Sequence, residues 1–328
     1  MLDKMWNVWY MVFMEKLDLI VKMTFGSSLY GTNLPDSDID IKGIFMPTKE
    51  EILLNRVPKH YNFSSGDSGA KNTKDDVDIE LFSIYTFINQ ALEGQTYALD
   101  MLHAPPNMIS EQNWIWDSIV SNRKKFYTKN LNAFIAYARK QASKYGVRGS
   151  RLNASQLVLD ILNNEPDEKR LSEIWDKLPI GEHLYMLAPN PNGIRQYQMC
   201  GKKLQETMRV KYARDIVQNF FNTYGSRAVL AAKNIGIDWK ALSHAVRAAL
   251  QVKEIFTDNT ITFPLKEAEL IKKIKSGSMD YTTEVAPLLE SLMDEVEVLS
   301  KKSSLPEKPD RDFWDKFVID TVREYHFG

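Results

Sequence analysis

An acidic pair inside an alternating apolar stretch constrains this chain more than any other feature of its sequence. Residues 38–46 read DIDIKGIFM and follow the turn FGSS at residues 25–28. Strict alternation predicts a β-strand, because successive side chains of a strand point to opposite faces of the sheet. Asp38 and Asp40 then project from one face with their carboxylates roughly 6 to 7 Å apart. Two anions at that spacing repel each other, so we expect a cation between them.

The cation that this arrangement predicts is Mg²⁺, with Mn²⁺ as the alternative. Mg²⁺ prefers oxygen ligands, keeps several waters and completes its coordination with substrate phosphates. A third carboxylate is needed to bind a second ion and to accept a proton from an attacking hydroxyl. The stretch VDIELF at residues 77–82 offers Asp78 and Glu80 on one face of a further predicted strand. Both stay open on the residues alone, and Asp100, in ALDML, is a further candidate.

The turn before the acidic strand is suited to phosphate. Gly26 has no side chain to block close approach, and Ser27 adds a hydroxyl beside exposed backbone N–H groups. A triphosphate tail is the ligand that such a turn predicts. Together with the carboxylates, the turn indicates a nucleoside triphosphate (NTP) as substrate.

The order of predicted elements indicates an α+β fold in two domains. Apolar periodicity predicts strands at 17–25, 38–46, 77–82 and 96–102, a helix at 83–94, and mainly helices from about residue 107, interrupted by a hairpin within 193–208. We therefore expect a small mixed sheet with flanking helices, residues 1–110, as the catalytic domain. A larger, mainly helical accessory domain, residues 111–328, is expected to complete the active-site cleft.

Composition excludes several classes of protein. The charges nearly balance, with 42 Lys and Arg against 43 Asp and Glu, so the total charge predicts no general attraction to nucleic acid. Cys200 is the single cysteine, which rules out an internal disulfide and a cysteine-cluster zinc site. The apolar run near the N-terminus is too short to span a bilayer. We expect a cytoplasmic protein that does not enter membranes, and the sequence does not indicate its oligomeric state.

A basic stripe is the main feature of the predicted helical part. It consists of side chains at three- and four-residue steps, namely Lys140, Lys144, Arg148 and Arg151. Such cations repel one another, and phosphate contact with a nucleotide or a nucleic acid would relieve the repulsion. A solvated basic face is the alternative reading, so an RNA partner stays an open expectation.

Two blocks of the sequence resemble a known family. The run GSSLYGTNLPDSDIDIKGIF, residues 26–45, resembles the signature of the DNA polymerase β nucleotidyltransferase superfamily, in which a hydrophobic residue and Gly-Gly or Gly-Ser precede an alternating acidic pair. The run is especially similar to the bacterial and phage "predicted nucleotidyltransferase" family. Residues 238–264 resemble that family's C-terminal helix with the pattern Lys-x-x-x-His-Ala-x-x-Arg.

The resemblance implies a metal-dependent nucleotidyltransferase with a nucleotidyltransferase-type sheet. Such an enzyme moves a nucleoside monophosphate (NMP) from an NTP to an acceptor hydroxyl and releases pyrophosphate. Asp38, Asp40 and Asp78 would be the catalytic and metal-binding carboxylates, and Asp78 is preferred to Glu80 for its position before the following helix. The implied nucleotide-binding residues are Gly26, Ser27, Ser28, Tyr30, Lys42, Lys240, His244 and Arg247. On the residues alone, His244 also fits a hydrogen-bonded core histidine.

Several alternatives stay open at this point. The acceptor could be an RNA 3′ end, a protein hydroxyl or a small molecule, and a catalytically silent nucleotide or RNA sensor would keep the same fold. A phage-encoded member would work in the host cytoplasm. An EF-hand is excluded, because Ile41 stands where its loop requires glycine and Pro47 where it requires glutamate. A plain surface strand would leave the spacing from turn to acidic pair unexplained.

Overall fold

Two compact units make up the described chain, which in this computed structural model comprises residues 17–66, 73–129, 149–231 and 233–328. Unit 1 holds the described residues of segments 1–139, 239–278 and 288–328, and unit 2 those of 140–238 and 279–287. Both units combine helices and strands, which confirms the predicted α+β class. Among the described residues, every helix is too short or too polar to traverse a lipid bilayer.

A mixed five-stranded sheet lies at the centre of unit 1. Its strands are β1 (Asp18–Thr24), β2 (Ile39–Met46), β3 (His60–Ser64), β4 (Val77–Ser83) and β5 (Ile109–Gln112). Their order is β3-β4-β2-β1-β5. The β2–β4 pair is parallel, and the other neighbours are antiparallel. The two predicted acidic strands are therefore direct neighbours, which places their polar faces side by side.

Helices accompany the sheets in both units. They are α1 (Gly26–Tyr30), α2 (Lys49–Leu53), α3 (Ile84–Leu92), α4 (Thr96–Met101), α5 (Trp114–Ser121), α6 (Gly149–Asn163), α7 (Val210–Ala231), α8 (Trp239–Asp258), α9 (Ala268–Lys275), α10 (Ala286–Lys302) and α11 (Arg311–Phe327). Short 3₁₀ turns occupy Pro106–Met108, Arg123–Phe126, Leu171–Glu173 and Trp175–Lys177, and a π-helical turn occupies Tyr281–Val285.

The strand predicted at residues 96–102 is wrong, because this segment forms helix α4. Its buried side chains are Ala98, Leu99, Asp100, Met101 and Leu102, so both faces of a strand would have to be buried. A short helix turns the apolar positions 98, 99, 101 and 102 toward one core. A short apolar run does not by itself distinguish a buried strand from a buried helix.

The core of unit 1 explains why its chain segments are discontinuous. Ala248, Val252 and Ile255 of α8 are buried in the same cluster as Ile20 of β1 and Ile44 of β2. Burying such an apolar helix face contributes on the order of 1.5 to 3 kcal/mol per large side chain. Helix α8 therefore packs with the sheet, and unit 1 extends well beyond the boundary expected at residue 110.

Unit 2 has a sheet and a core of its own. Its antiparallel sheet has the order β6 (Leu184–Leu187), β7 (Gln196–Met199) and β8 (Lys202–Gln205). The β7–β8 turn passes through Cys200 and Gly201, both at positive φ, which confirms the hairpin predicted within 193–208. Its core includes Val158 of α6 and Val217 of α7.

Candidate active site

The turn after β1 is shaped around one carboxylate. The Phe25 N–H donates to the backbone oxygen of Asp40 at 2.8 Å, which ties the turn to β2. Gly26 follows at φ 58°, and a Cβ there would lie 1.8 Å from Oδ2 of Asp40. Only glycine fits both the backbone angle and the space. Gly26 was expected to permit the close approach of a phosphate, and in the structure it first permits the close approach of the Asp40 side chain.

The hydroxyl of Ser27 is buried without a protein partner. Its Oγ has no hydrogen-bond partner among the described residues, although the same residue's carbonyl accepts from the Thr32 N–H at 2.9 Å. A buried hydroxyl without a partner is costly, so its position calls for a ligand atom. Ser27 lines a cavity of about 420 Å³ beside the carboxylates.

The carboxylates come from neighbouring strands in register. Asp40 of β2 lies opposite Asp78 of β4 across the parallel pair, and both line the same cavity as Ser27. Asp38, just before β2, lines it as well. Burial raises the pKa of Asp40, and the charges of Asp38 and Asp78 raise it further. The three carboxylates predicted from sequence therefore share one electrostatic environment that favours a cation.

Lys42 and Glu80 form the next register pair along the same strands. Their side chains form an ion pair, and Nζ of Lys42 also lies 5.2 Å, 5.3 Å and 5.0 Å from the ring centroids of Phe25, Phe82 and Tyr97. Cation–π contacts of this kind hold an ammonium group in place. Because Asp78 lines the cavity that contains Ser27 and Glu80 does not, Asp78 is the better candidate for the third carboxylate.

Lysines from two helices add positive charge to the cavity. Lys240 and His244 of α8 line it together with Lys275, the last residue of α9. The charge of Lys240 lowers the pKa of Asp40, opposing the neighbouring carboxylates. Burial lowers the pKa of Lys275, as does Lys240, whereas Asp38 and Asp40 raise it. The cavity thus brings anionic and cationic side chains within electrostatic range of one another.

Arg247 belongs to a buried network as well as to the cavity wall. Its Nη1 donates to Asp100 Oδ2 at 3.0 Å and to Gln251 Oε1 at 3.1 Å, and its guanidinium lies 3.9 Å from the ring centroid of Tyr30. Asp100 is fully buried and also accepts from the Tyr30 hydroxyl at 2.8 Å and the Gln251 amide at 2.7 Å. The network ties α1, α4 and α8 together. Asp100 therefore stands apart from the carboxylates that line the cavity.

Ten of the predicted site residues line this one cavity, and all belong to unit 1. They are Gly26, Ser27, Tyr30, Asp38, Asp40, Lys42, Asp78, Lys240, His244 and Arg247. Ser28, Glu80 and Asp100 are not among the lining residues. The carbonyl of Ser28 instead accepts from the Gly31 N–H at 3.3 Å where α1 ends.

Comparison with known proteins identifies the family. Residues 11–159 match the model of the RNA repair pathway DNA polymerase beta family. A protein of Enterobacteria phage T4, described as an uncharacterized 38.9 kDa protein in the nrdC-mobD intergenic region, is 37% identical over 329 residues, covering 94% of this chain and 98% of its own. The chain belongs to the DNA polymerase β-like nucleotidyltransferases. Nucleotidyl transfer is the general chemistry of this family.

A solved structure was also found for comparison with this nucleotidyltransferase. It is a nucleotidyltransferase-like protein from Exiguobacterium sibiricum, 8% identical, matched over 99% of this chain and 80% of its own with a TM-score of 0.27. A likeness at that score supports no conclusion about fold. The membership rests on the family match and on the 37% identity to the phage protein.

The donor set of the nucleotidyltransferase fits Mg²⁺ as a shared ligand of protein and substrate. Within the described ranges, no three His, Cys, Asp or Glu side chains are gathered into a metal centre. Mg²⁺ is commonly held by one or two carboxylates together with substrate phosphates and water. Asp40 and Asp78, in register and beside the unpartnered Ser27 hydroxyl, match that pattern.

One charged residue that lines the cavity, Lys275, was missed by sequence reasoning. Lys275 ends the amphipathic helix α9, which also carries Lys272 and Lys273. Only the packing of the helix, with Ile271 and Ile274 buried, shows which lysine faces the cavity. The basic stripe is a different case, because Lys140, Lys144 and Arg148 lie outside the described residues. Arg151 lies in α6 of unit 2, and the RNA contact expected of the stripe stays a prediction.

Proposed function

We propose that this protein is a Mg²⁺-dependent or Mn²⁺-dependent nucleotidyltransferase that moves an NMP from an NTP to a terminal hydroxyl of RNA and releases pyrophosphate. The observation that carries the proposal is the register of Asp40 with Asp78 beside the buried, unpartnered hydroxyl of Ser27. In one cavity, this arrangement places two carboxylates that can bind a cation beside a hydroxyl that can bind a phosphate. The family match supports the reaction class.

The NTP is bound through its phosphates. Ser27 supplies a hydroxyl donor, and Lys240 and Lys275 supply ammonium groups on the other elements that line the cavity. Ammonium groups act as point charges toward phosphate, and a low-dielectric cavity strengthens that attraction. These groups also stabilise the charge that builds up on the phosphates during transfer.

The transfer step needs a nucleophile, a proton acceptor and a leaving group. The acceptor hydroxyl oxygen forms a bond to the α-phosphorus, while the bond from that phosphorus to the oxygen bridging the α- and β-phosphates breaks. Pyrophosphate leaves with the electron pair, and Asp78 accepts the hydroxyl proton. Mg²⁺ held by Asp40 and Asp78 together with the substrate phosphates, and attracted by the charge of Asp38, would neutralise phosphate charge and acidify the attacking hydroxyl. Asp40 and Asp78 position the reacting groups from rigid strands.

RNA is the favoured acceptor because the family description names an RNA repair pathway. A protein hydroxyl or a small molecule would use the same carboxylates, so the acceptor is a matter for experiment. A silent sensor is disfavoured, since Asp38, Asp40 and Asp78 are all present and share the cavity. Catalysis requires these carboxylates, whereas a protein that only binds a nucleotide does not.

The deciding experiment measures label transfer. Purified protein is incubated with Mg²⁺, each α-labelled NTP in turn, and cellular RNA or protein, and pyrophosphate release is followed in parallel. We expect label in RNA, lost in Asp40→Asn and Asp78→Asn and retained in Asp75→Asn, which removes an exposed carboxylate just before β4. Label in protein alone would reassign the acceptor. Equal activity in Asp40→Asn and in the wild type would refute the proposed chemistry.

A further inference from the structure

Asp40 and Asp78 also border a second cavity, which lies toward the edge strand β3. This cavity, of about 360 Å³, is lined by three consecutive residues from each of three neighbouring strands, namely 40–42 of β2, 62–64 of β3 and 78–80 of β4. It shares Asp40, Lys42 and Asp78 with the cavity that contains Ser27. The two carboxylates thus lie at the boundary of two spaces, and the second space has no part in the binding of NTP described above.

The register of the strands orders the polar groups of this second cavity. Ser64 of β3 lies opposite Asp78, which lies opposite Asp40, and Asn62 lies opposite Glu80, which lies opposite Lys42. Side chains in register on neighbouring strands project from the same face of a sheet. Asn62 and Ser64 therefore extend the two rows of polar side chains from the catalytic strands onto the edge strand.

The charge of the second cavity argues against a phosphate. Its lining includes the carboxylates of Asp40, Asp78 and Glu80, and its cation, Lys42, is already paired with Glu80. These carboxylates would repel a phosphate, whereas the cavity that contains Lys240 and Lys275 would attract one. A neutral ligand rich in hydroxyls fits this charge.

The donors and acceptors of the second cavity match the two hydroxyls of a ribose. The Asn62 amide offers a donor and an acceptor. The Ser64 hydroxyl, which accepts from the Gly66 N–H at 3.3 Å, retains its own proton to donate. The Glu80 carboxylate has an oxygen beyond the one bound by Lys42. A vicinal diol presents two donors and two acceptors at fixed spacing, so each of these groups can be satisfied.

We propose that Asn62 and Ser64 form an acceptor subsite that binds the terminal 2′,3′-diol of a ribose and presents one hydroxyl to Asp78. This inference rests on the proposed function, since it assigns the acceptor side of the same reaction. It predicts a preference for ribose over 2′-deoxyribose ends that depends on the edge strand β3. Asn62 and Ser64 are specificity residues in this scheme, and Asp78 takes the proton.

Equilibrium binding tests the subsite without requiring turnover. Fluorescence anisotropy would compare a short single-stranded RNA with the same strand ending in 2′-deoxyribose, both in Mg²⁺ and a non-hydrolysable NTP analogue. We expect wild type to favour the ribose end about tenfold, the effect of about one net hydrogen bond. The double variant Asn62→Ala with Ser64→Ala should lose this preference. His60→Ala, which removes an exposed side chain of the same strand outside the cavity, should retain it.

Two further measurements keep the outcomes distinct. Asn62→Asp preserves the shape of the side chain and replaces the amide donor with an anion, so it should lose the preference for the ribose end as the double alanine variant does. Asn62→Asp replaces the double variant if the latter does not fold. Pyrophosphate release with natural NTP is measured in parallel on wild type. Transfer without a preference for the ribose end, or a preference that survives in the Asn62 variants, overturns the subsite. A preference that depends on Asn62 without any pyrophosphate release supports the subsite and refutes the proposed transfer.

Discussion

The Cα of Gly26 lies against the carboxylate of Asp40, so that a Cβ at residue 26 would fall 1.8 Å from Oδ2. Gly26→Ala should therefore displace the carboxylate and impose left-handed strain of about 1 to 2 kcal/mol. We expect at least about a hundredfold loss of transfer, as for a misplaced reacting group. Gly193→Ala is the matched control, because Gly193 has φ 76° and open space around its Cα. Equal activity losses in both variants would contradict a role of Gly26 at the carboxylate.

Asp40→Asn should remove activity without weakening the fold. The pKa of Asp40 is raised by burial and by Asp38 and Asp78, so the ionised form is disfavoured in the folded state, and this cost is present at neutral pH. Replacing the charge should leave the melting temperature unchanged or higher, while transfer falls by more than about a hundredfold. Calorimetry with and without Mg²⁺ checks this: wild type should gain stability from the ion and the variant should not.

Lys275→Ala and Lys240→Ala should weaken NTP binding selectively. Each removes one ammonium group from the cavity, so we expect KM for NTP to rise about tenfold, with little change in melting temperature. Lys273→Ala, an exposed lysine of the same helix as Lys275, is the control and should match wild type. A KM for NTP in Lys275→Ala equal to that of Lys273→Ala would refute a role of Lys275 in NTP binding.

Arg247→Lys should cost stability more than catalysis. The guanidinium bonds both Asp100 and Gln251 from a buried position, and a lysine cannot reproduce that geometry. We expect the free energy of unfolding to fall by about 1 to 3 kcal/mol, with KM for NTP changing less than in Lys240→Ala. Urea unfolding and NTP kinetics on the same preparation decide. An unchanged melting curve with a large rise in KM would instead place Arg247 directly on the triphosphate.

His103 should make the fold sensitive to mild acid. Burial lowers the pKa of His103 from 6.5 to about 4, and its ring bonds the Leu99 carbonyl and the Tyr127 hydroxyl. The neutral ring stabilises the fold above pH 6.5, and this contribution, roughly 3 kcal/mol, is lost as the pH falls toward 4. Urea unfolding between pH 7 and 4 should show that loss in wild type and in His60→Gln, which changes an exposed histidine, and a shallower loss in His103→Gln.

The two strands that carry the cavity carboxylates were predictable because their signal is local. Alternation fixed which faces Asp38, Asp40 and Asp78 occupy, and the turn at Gly26 is encoded within a few residues. The proximity of the carboxylates could not be predicted locally, because β2 pairs with β4 and the two strands are separated in sequence by β3 and a loop. Sequence reasoning therefore proposed three carboxylates that line one cavity, but only the folded sheet separates Asp78, which lines that cavity, from Glu80, which does not.

The remaining differences come from tertiary packing. The segment 96–102 carried a short apolar run that fits either a strand or a helix, and only a helix brings the buried residues Ala98, Leu99, Met101 and Leu102 onto one face. Lys275 could not be singled out among neighbouring lysines without knowing which face of α9 is buried. The association of α8 with the sheet depends on side chains distant in the chain, which no periodicity within α8 specifies.

The discontinuity of unit 1 has a consequence for synthesis on the ribosome. The strands with Asp40 and Asp78 leave the exit tunnel first, and the whole of segment 140–238 is translated before α8 and α9 deliver Lys240 and Lys275. Until then the nascent carboxylates lack the cations that would hold a triphosphate, and the sheet lacks Val252 and Ile255 from its core. A nascent chain of intermediate length therefore lacks part of the candidate site, and under the proposed function transfer would begin only when unit 1 is nearly complete.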